Sequence, residues 1–179
     1  MSKKVVVIST SIRANSNSDI LAKSFADGAT FAGNEVDFIT LKDKQISFCK
    51  GCLVCQQTGK CVIKDDVTKI IDKVIDSDIV VWATPIYYYE MSGQMKVLID
   101  RLNPMFSMDY KFRDVYFLAT AAEDGDHVYE KALSGLNGWI DCFDKAEIKG
   151  YVFCGGVTTG GEISENAKLK EAYDLGAGV

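Results

Sequence analysis

The chain contains one histidine, His127, and two prolines, Pro85 and Pro104, among 179 residues. A single histidine excludes a Ser-His-Asp triad and any histidine-rich metal centre. His127 follows the polar stretch Glu123-Asp124-Gly125-Asp126 and reads as an exposed loop residue. No segment approaches the ~20 consecutive apolar residues that a spanning helix requires. Lys3-Lys4 precedes only the short apolar run Val5-Val6-Val7-Ile8, which ends in a polar loop instead of a small-residue cleavage site. Basic residues are outnumbered, with 20 Lys and Arg against 25 Asp and Glu, and they form no run. That balance argues against nucleic acid or an anionic membrane as the main partner. Neither G-x-x-x-x-G-K-[ST] nor G-x-G-x-x-G is present, which argues against a triphosphate loop and a dinucleotide fingerprint. The hydrophobic fraction of 47% and charged fraction of 25% are ordinary globular values. These features predict one domain over 1–179 with a sizeable core, soluble and cytoplasmic.

What is present is an alternation of apolar runs and helical patterns. Val5–Ser9, Val36–Leu41, Asp78–Ala83, Val115–Ala121 and Ile148–Cys154 read as buried strands. Between them, apolar residues recur at helical spacing: Ile20, Leu21, Phe25 and Ala29, then Val67, Ile70, Ile71 and Val74. Ser92–Leu102, Tyr129–Phe143 and Ile163–Leu175 complete the helices. Asp65 and Asp66 read as residues of a helix start. Five continuous apolar strands separated by amphipathic helices predict an α/β fold: a flavodoxin-like open parallel sheet, order 2-1-3-4-5, with helices on both faces. The ligand crevice then lies at the carboxyl ends of strands 1 and 3.

Two loops reach that crevice. The first runs Ser9-Thr10-Ser11-Ile12-Arg13-Ala14-Asn15-Ser16-Asn17-Ser18 into a helix. Its hydroxyls and amides, the unpaired N–H groups of the helix start and the Arg13 guanidinium suit a phosphate. Simple capping of the helix by Ser and Asn is the competing reading. The second loop is Thr84-Pro85-Ile86-Tyr87-Tyr88-Tyr89-Glu90-Met91-Ser92-Gly93. Pro85 stops a strand ladder, the tyrosines can pack a planar ring or serve an interface, and Ser92 is a plausible helix N-cap. Met105-Phe106-Ser107-Met108 adds apolar residues in a loop, so a homodimer or homotetramer is expected.

Four of six cysteines, Cys49, Cys52, Cys55 and Cys61, fall within thirteen residues as C-x2-C-x2-C-x5-C. The spacing resembles bacterial [4Fe–4S] ligation, three close ligands and one apart. A structural zinc, a Cys52–Cys55 thiol pair activated by Lys50, and a motif whose cluster is lost to oxygen on purification are the alternatives. Cys142 and Cys154 stand in apolar surroundings and read as small core residues.

Ser11, Arg13, Asn15, Asn17 and Ser18 after strand 1, with Thr84, Pro85, Tyr87, Ser92, Gly93, Lys96, Ile99, Asp100 and Arg101 after strand 3, resemble the NADPH-dependent FMN reductase family. The cysteine run resembles its iron–sulfur flavoprotein branch. The resemblance implies non-covalent FMN, its phosphate on Ser11, Arg13, Asn15, Asn17 and Ser18. It places the isoalloxazine against Pro85, Ile86, Tyr87 and Tyr88, with Ala119, Thr120 and Ala121 nearby and Thr84, Ser92 and Gly93 completing the site. It further implies Cys49, Cys52, Cys55 and Cys61 as cluster ligands and NAD(P)H as co-substrate, stacking on the exposed flavin. The expected function is an oxidoreductase passing electrons from a nicotinamide nucleotide or reduced carrier to a quinone, flavin or protein acceptor. A cluster-free FMN or quinone reductase and a non-enzymatic electron carrier or redox sensor are the alternatives. No side chain is assigned as a catalytic acid or base, because the chemistry belongs to the flavin.

Overall fold

The computed structural model describes residues 2–179. Its strands are β1 (Lys4–Ser9), β2 (Glu35–Thr40), β3 (Ile79–Tyr87), β4 (Glu90–Met91), β5 (Asp114–Thr120) and β6 (Glu147–Cys154). Its helices are α1 (Asn17–Phe31), α2 (Val54–Thr58), α3 (Val67–Asp76), α4 (Gly93–Arg101), α5 (Glu130–Ile140) and α6 (Lys168–Ala177). The sheet runs β2-β1-β3-β5-β6, and all four of these pairings are parallel. The two-residue β4 pairs only with β3, antiparallel. With β4 set aside, the order is the 2-1-3-4-5 flavodoxin-like topology.

Side-chain alternation sends each central strand into two cores. Val5, Val7, Ile79, Val81, Tyr116 and Leu118 pack under α1 and α6, with Leu21, Phe25 and Ala172. Val6, Ile8, Val80, Trp82, Val115 and Phe117 pack under α3, α4 and α5, with Ile70, Met95, Leu98 and Leu136. Burial on both faces is why these strands read as unbroken apolar runs. Helices α1 and α6 cross backbone to backbone. A Cβ on Gly28 would stand 2.0 Å from the Tyr173 carbonyl oxygen, and one on Gly176 would stand 2.1 Å from that of Phe25.

Several expectations are corrected. Strand β3 does not end at Ala83: it continues through Pro85, paired with Thr120 of β5. The Ala83 carbonyl accepts from Thr10 N–H at 2.9 Å, so Pro85, two residues on, turns its missing donor to the same side. β1 has ended at Ser9, so the missing donor faces no ladder partner and the strand runs on past the proline. Tyr87–Met91 is a tight hairpin in place of a long loop, with Tyr88 and Tyr89 at φ 52° and 63°. The expected helix Ile163–Leu175 is a 3-10 turn at Glu162–Glu165 followed by α6. Asn103–Ser107 is also a 3-10 turn, and it buries Met105 while leaving Phe106 exposed. Cys154 is buried as expected, but Cys142 is exposed just beyond the end of α5. Among the described residues no helix is long and apolar enough to cross a membrane.

Candidate flavin crevice and cysteine loop

The ends of β1 and β3 and the start of α4 are joined by a buried hydroxyl network. Thr10 donates to the Ala83 carbonyl at 2.8 Å, and its oxygen lies 3.1 Å from Ser92 Oγ. Ser92 Oγ accepts from Met95 N–H at 3.3 Å, so Ser92 is the N-cap that the sequence indicates. Ser92 N–H donates to Thr84 Oγ1 at 3.0 Å. Thr84 and Ser92 are fully buried with their hydroxyls paired inside the protein. They form the floor on which the crevice stands.

Above this floor, a cleft of about 190 Å³ is lined by residues of four segments: Ser11, Arg13, Ser16 and Asn17; Pro85, Ile86 and Tyr87; Thr120, Ala121 and Ala122; Val157 and Thr158. One end is polar. Ser16 is the N-cap of α1, but its side chain makes no capping bond and instead faces Ser18 Oγ at 3.1 Å. The first amides of α1 therefore keep their donors free, with the positive end of the helix dipole behind them. Beneath, Ser9 Oγ is buried without a partner, on the α1 side of the sheet by alternation with Val5 and Val7. Pro85, Ile86 and Tyr87 supply less polar lining to the same cleft.

The fourth wall, Val157–Thr158, lies outside the two crevice loops that the sequence indicates. It belongs to the glycine-rich segment after β6, and its signal was the pairs Gly155-Gly156 and Gly160-Gly161. The segment is strapped to the first loop. Arg13 Nη1 donates to the Thr158 carbonyl at 2.7 Å, Asn17 Nδ2 to that of Thr159 at 2.9 Å, and Ile163 N–H to Asn17 Oδ1 at 3.3 Å. Gly161, at φ 85°, leaves room for Asn15, whose Nδ2 would stand 2.3 Å from an added Cβ. The Glu162 carboxylate accepts from the amides of Thr159 and Thr158 at 2.8 and 2.7 Å, which hold it below the usual carboxylate range. Asn17 thus spends both polar side-chain atoms on this strap, and Asn15 packs against Gly161.

Of the remaining candidates, Ser18 and Ala119 are fully buried, and Gly93 opens α4 with free space at its Cα. Tyr88 stands 99% exposed at the tip of the hairpin. Tyr89 ties the hairpin down. Its hydroxyl donates to Glu123 Oε2 at 3.0 Å, and His127 Nε2 lies 3.0 Å from Glu123 Oε1. His127 and Tyr89 hold the Glu123 carboxyl low.

The cysteine segment leaves β2 and returns to α3. Cys49 and Cys52 are exposed, Cys61 is half-buried and Cys55, on α2, is buried. Leu53 and Gly59 bound α2 in left-handed conformations, at φ 56° and 66°. Asn103 Nδ2 donates to Cys55 Sγ at 3.1 Å. Asp65 and Asp66 do more than start α3. Asp65 takes a bidentate contact from Arg101 at 2.6 and 2.9 Å and accepts from the amides of Ser47 and Val67. Asp66 accepts from Gln45 N–H at 2.8 Å. Burial pushes the Asp65 carboxyl up, but Arg101 and the two amides outweigh it and hold it below the usual range. Four thiols on one short segment suit a thiophilic centre in type and number. As arranged, no three His, Cys, Asp or Glu side chains among the described residues stand close enough together to hold an ion.

Comparison with known proteins bears on the family and the fold. Part of the chain is 37% identical over 102 residues to an iron-sulfur flavoprotein of Methanocaldococcus jannaschii, covering 57% of this chain and 53% of that one. The match thus spans about half the length of that relative. The fold is similar to an NAD(P)H:quinone oxidoreductase from Methanothermobacter marburgensis (TM-score 0.74, 13% identity, 99% and 98% of the two chains covered). It is also similar to a flavodoxin from the domain Archaea (TM-score 0.60, 13% identity, 98% and 94% covered). The model of the NADPH-dependent FMN reductases matches residues 3–154, which take in the first crevice loop, the cysteine segment and the whole sheet, and the chain belongs to that family.

Proposed function

We propose that the protein is an FMN-dependent oxidoreductase that draws electrons from NAD(P)H or a reduced carrier and delivers them to a quinone, a flavin or a protein. One observation carries this reading: a single cleft brings Arg13 and the start of α1 together with the Pro85-Ile86-Tyr87 segment. Bound FMN supplies the exchange between two-electron and one-electron chemistry. The chain's own residues bind and orient it. Arg13 and the free amides of α1 suit the phosphate, and Ser9 Oγ offers a buried donor beneath them. Pro85, Ile86 and Tyr87 suit one face of the ring, with Thr120 and Ala121 at its edge. A nicotinamide would then reach the flavin by stacking on it, without a dinucleotide subsite of its own.

The cysteines support a second element, a thiolate-ligated iron–sulfur centre on Cys49, Cys52, Cys55 and Cys61. Its support is the donor set and the name of the archaeal relative. Such a centre favours one-electron delivery to a protein partner. The exposed Tyr88 and Phe106 support association into a homodimer or homotetramer, and a monomer in sedimentation at micromolar concentration would count against it.

The test is an anaerobic absorption spectrum with iron and sulfide assays, followed by addition of NADH or NADPH. Flavin bands bleached by the nucleotide are expected, together with about four irons per chain for a [4Fe–4S] centre. Absence of flavin after incubation with FMN would overturn the main reading. Flavin without iron after anaerobic reconstitution would overturn the second element alone.

A further inference from the structure

The Arg101–Asp65 pair lies outside the crevice, and nothing in the flavin chemistry calls for it. Arg101 is 0% and Asp65 6% exposed at the side chain. A bidentate pair withdrawn from solvent is costly to desolvate, and fixing local geometry is one role that such a pair serves. Its contacts say which geometry. Arg101 Nη1 also donates to the Ser47 carbonyl at 2.7 Å, and Ser47 N–H donates to Asp65 Oδ2 at 2.9 Å. Ser47 precedes the cysteine segment and Asp65 follows it, so one guanidinium closes both strands of the loop at its base. Cys61, four residues before Asp65 on the closing side of the loop, is half-buried. Two residues beyond Arg101, Asn103 holds the buried Cys55. Cys49 and Cys52 have no comparable support and lie exposed.

We propose that the corner at the end of α4, Arg101 paired with Asp65 together with Asn103, is the positioning device of the cysteine loop. It closes the loop and fixes Cys55 and Cys61 as inner donors, leaving Cys49 and Cys52 as outer ones. The iron-binding consequence rests on the second element of the proposed function, whereas the closure does not. α4 begins at the crevice rim and ends at this corner, so one helix of nine residues connects the two regions.

The test compares the wild type with the double variant Asp65→Asn/Arg101→Met, which removes both charges and avoids stranding either one, and with Asn103→Ala. In FMN-loaded, chelator-treated full-length protein, alkylation is followed at each cysteine by peptide mass spectrometry. In the wild type, Cys55 and Cys61 are expected to react at least about tenfold more slowly than Cys49 and Cys52. The double variant accelerates both inner cysteines, Asn103→Ala accelerates Cys55 alone, and FMN per chain stays unchanged in all three. Iron uptake on reconstitution falls in the double variant. Equal rates at all four cysteines in the wild type, or unchanged rates in the double variant, would overturn the positioning role. If the wild type takes up no iron, the iron reading fails and the labelling rates still decide the closure.

Discussion

Among the described residues Arg13 is the only cationic side chain lining the cleft, and its guanidinium is already oriented by the Thr158 carbonyl. A charge-assisted contact to a phosphate contributes about 1.5–3 kcal/mol. Arg13→Ala should therefore weaken FMN binding by about 10- to 100-fold, with a smaller effect on riboflavin, which lacks the phosphate. Flavin fluorescence titration measures both, and equal losses for the two ligands would place Arg13 away from the phosphate. Thr84 and Ser92 make a contrasting pair. Both sit in crevice motifs, yet both are fully buried and hydrogen-bonded to the protein. Sequence position brought them to the crevice, and only the fold shows that they support it from below. Asp65 likewise looked like a helix-start residue, because its partner Arg101 lies 36 positions away.

At the level of elements, the aromatic hairpin and the α1–α6 crossing each carry a definite cost. Tyr88 and Tyr89 occupy successive left-handed positions, where Asn and Gly are the usual residues. Tyr88 is almost wholly exposed, so its strain has no packing return within the chain. In the dissociated chain Tyr88→Asn should raise stability by about 1 kcal/mol, or about 2–4 °C in Tm, read by calorimetry of the FMN-loaded protein below its association range. A fall in Tm confined to the association range would mean that Tyr88 is buried against another molecule. At the crossing, Gly28→Ala puts a methyl against the Tyr173 carbonyl and the Ala177 amide, both backbone and unable to swing away. Separating two packed helices should cost at least about 1–3 kcal/mol. Urea denaturation should show this, and an unchanged midpoint would refute the close crossing.

For the molecule as a whole, acid stability follows from its paired carboxylates. Asp65 titrates below its ordinary value of 3.8 in the native state. Its contribution is complete above that value and is lost as pH falls through the lowered native one. Glu162 and Glu123 shift in the same direction. Denaturant midpoints should be nearly level at neutral to mildly acidic pH and fall below about pH 4. Asp65→Asn/Arg101→Met should start lower and fall less. An equally steep fall in that variant would show that the buried pair does not govern acid stability.

The sequence by itself determined the sheet, its strand order and the two crevice loops. Those features rest on local periodicity and on residue types adjacent in the chain, such as the Val and Ile runs of β1, β3 and β5 and the loop after β1. Tertiary structure alone decided the fourth wall of the cleft, the continuation of β3 past Pro85, the inward turn of Met105 and the exposure of Cys142. It also decided the closure of the cysteine loop. Each depends on what a distant segment brings: Asn17 meets Thr159, Pro85 lies beyond the end of β1, and Arg101 reaches Ser47 and Asp65 at once. Periodicity carries no information about such pairings, because their partners are set by the packing of the sheet and not by spacing along the chain.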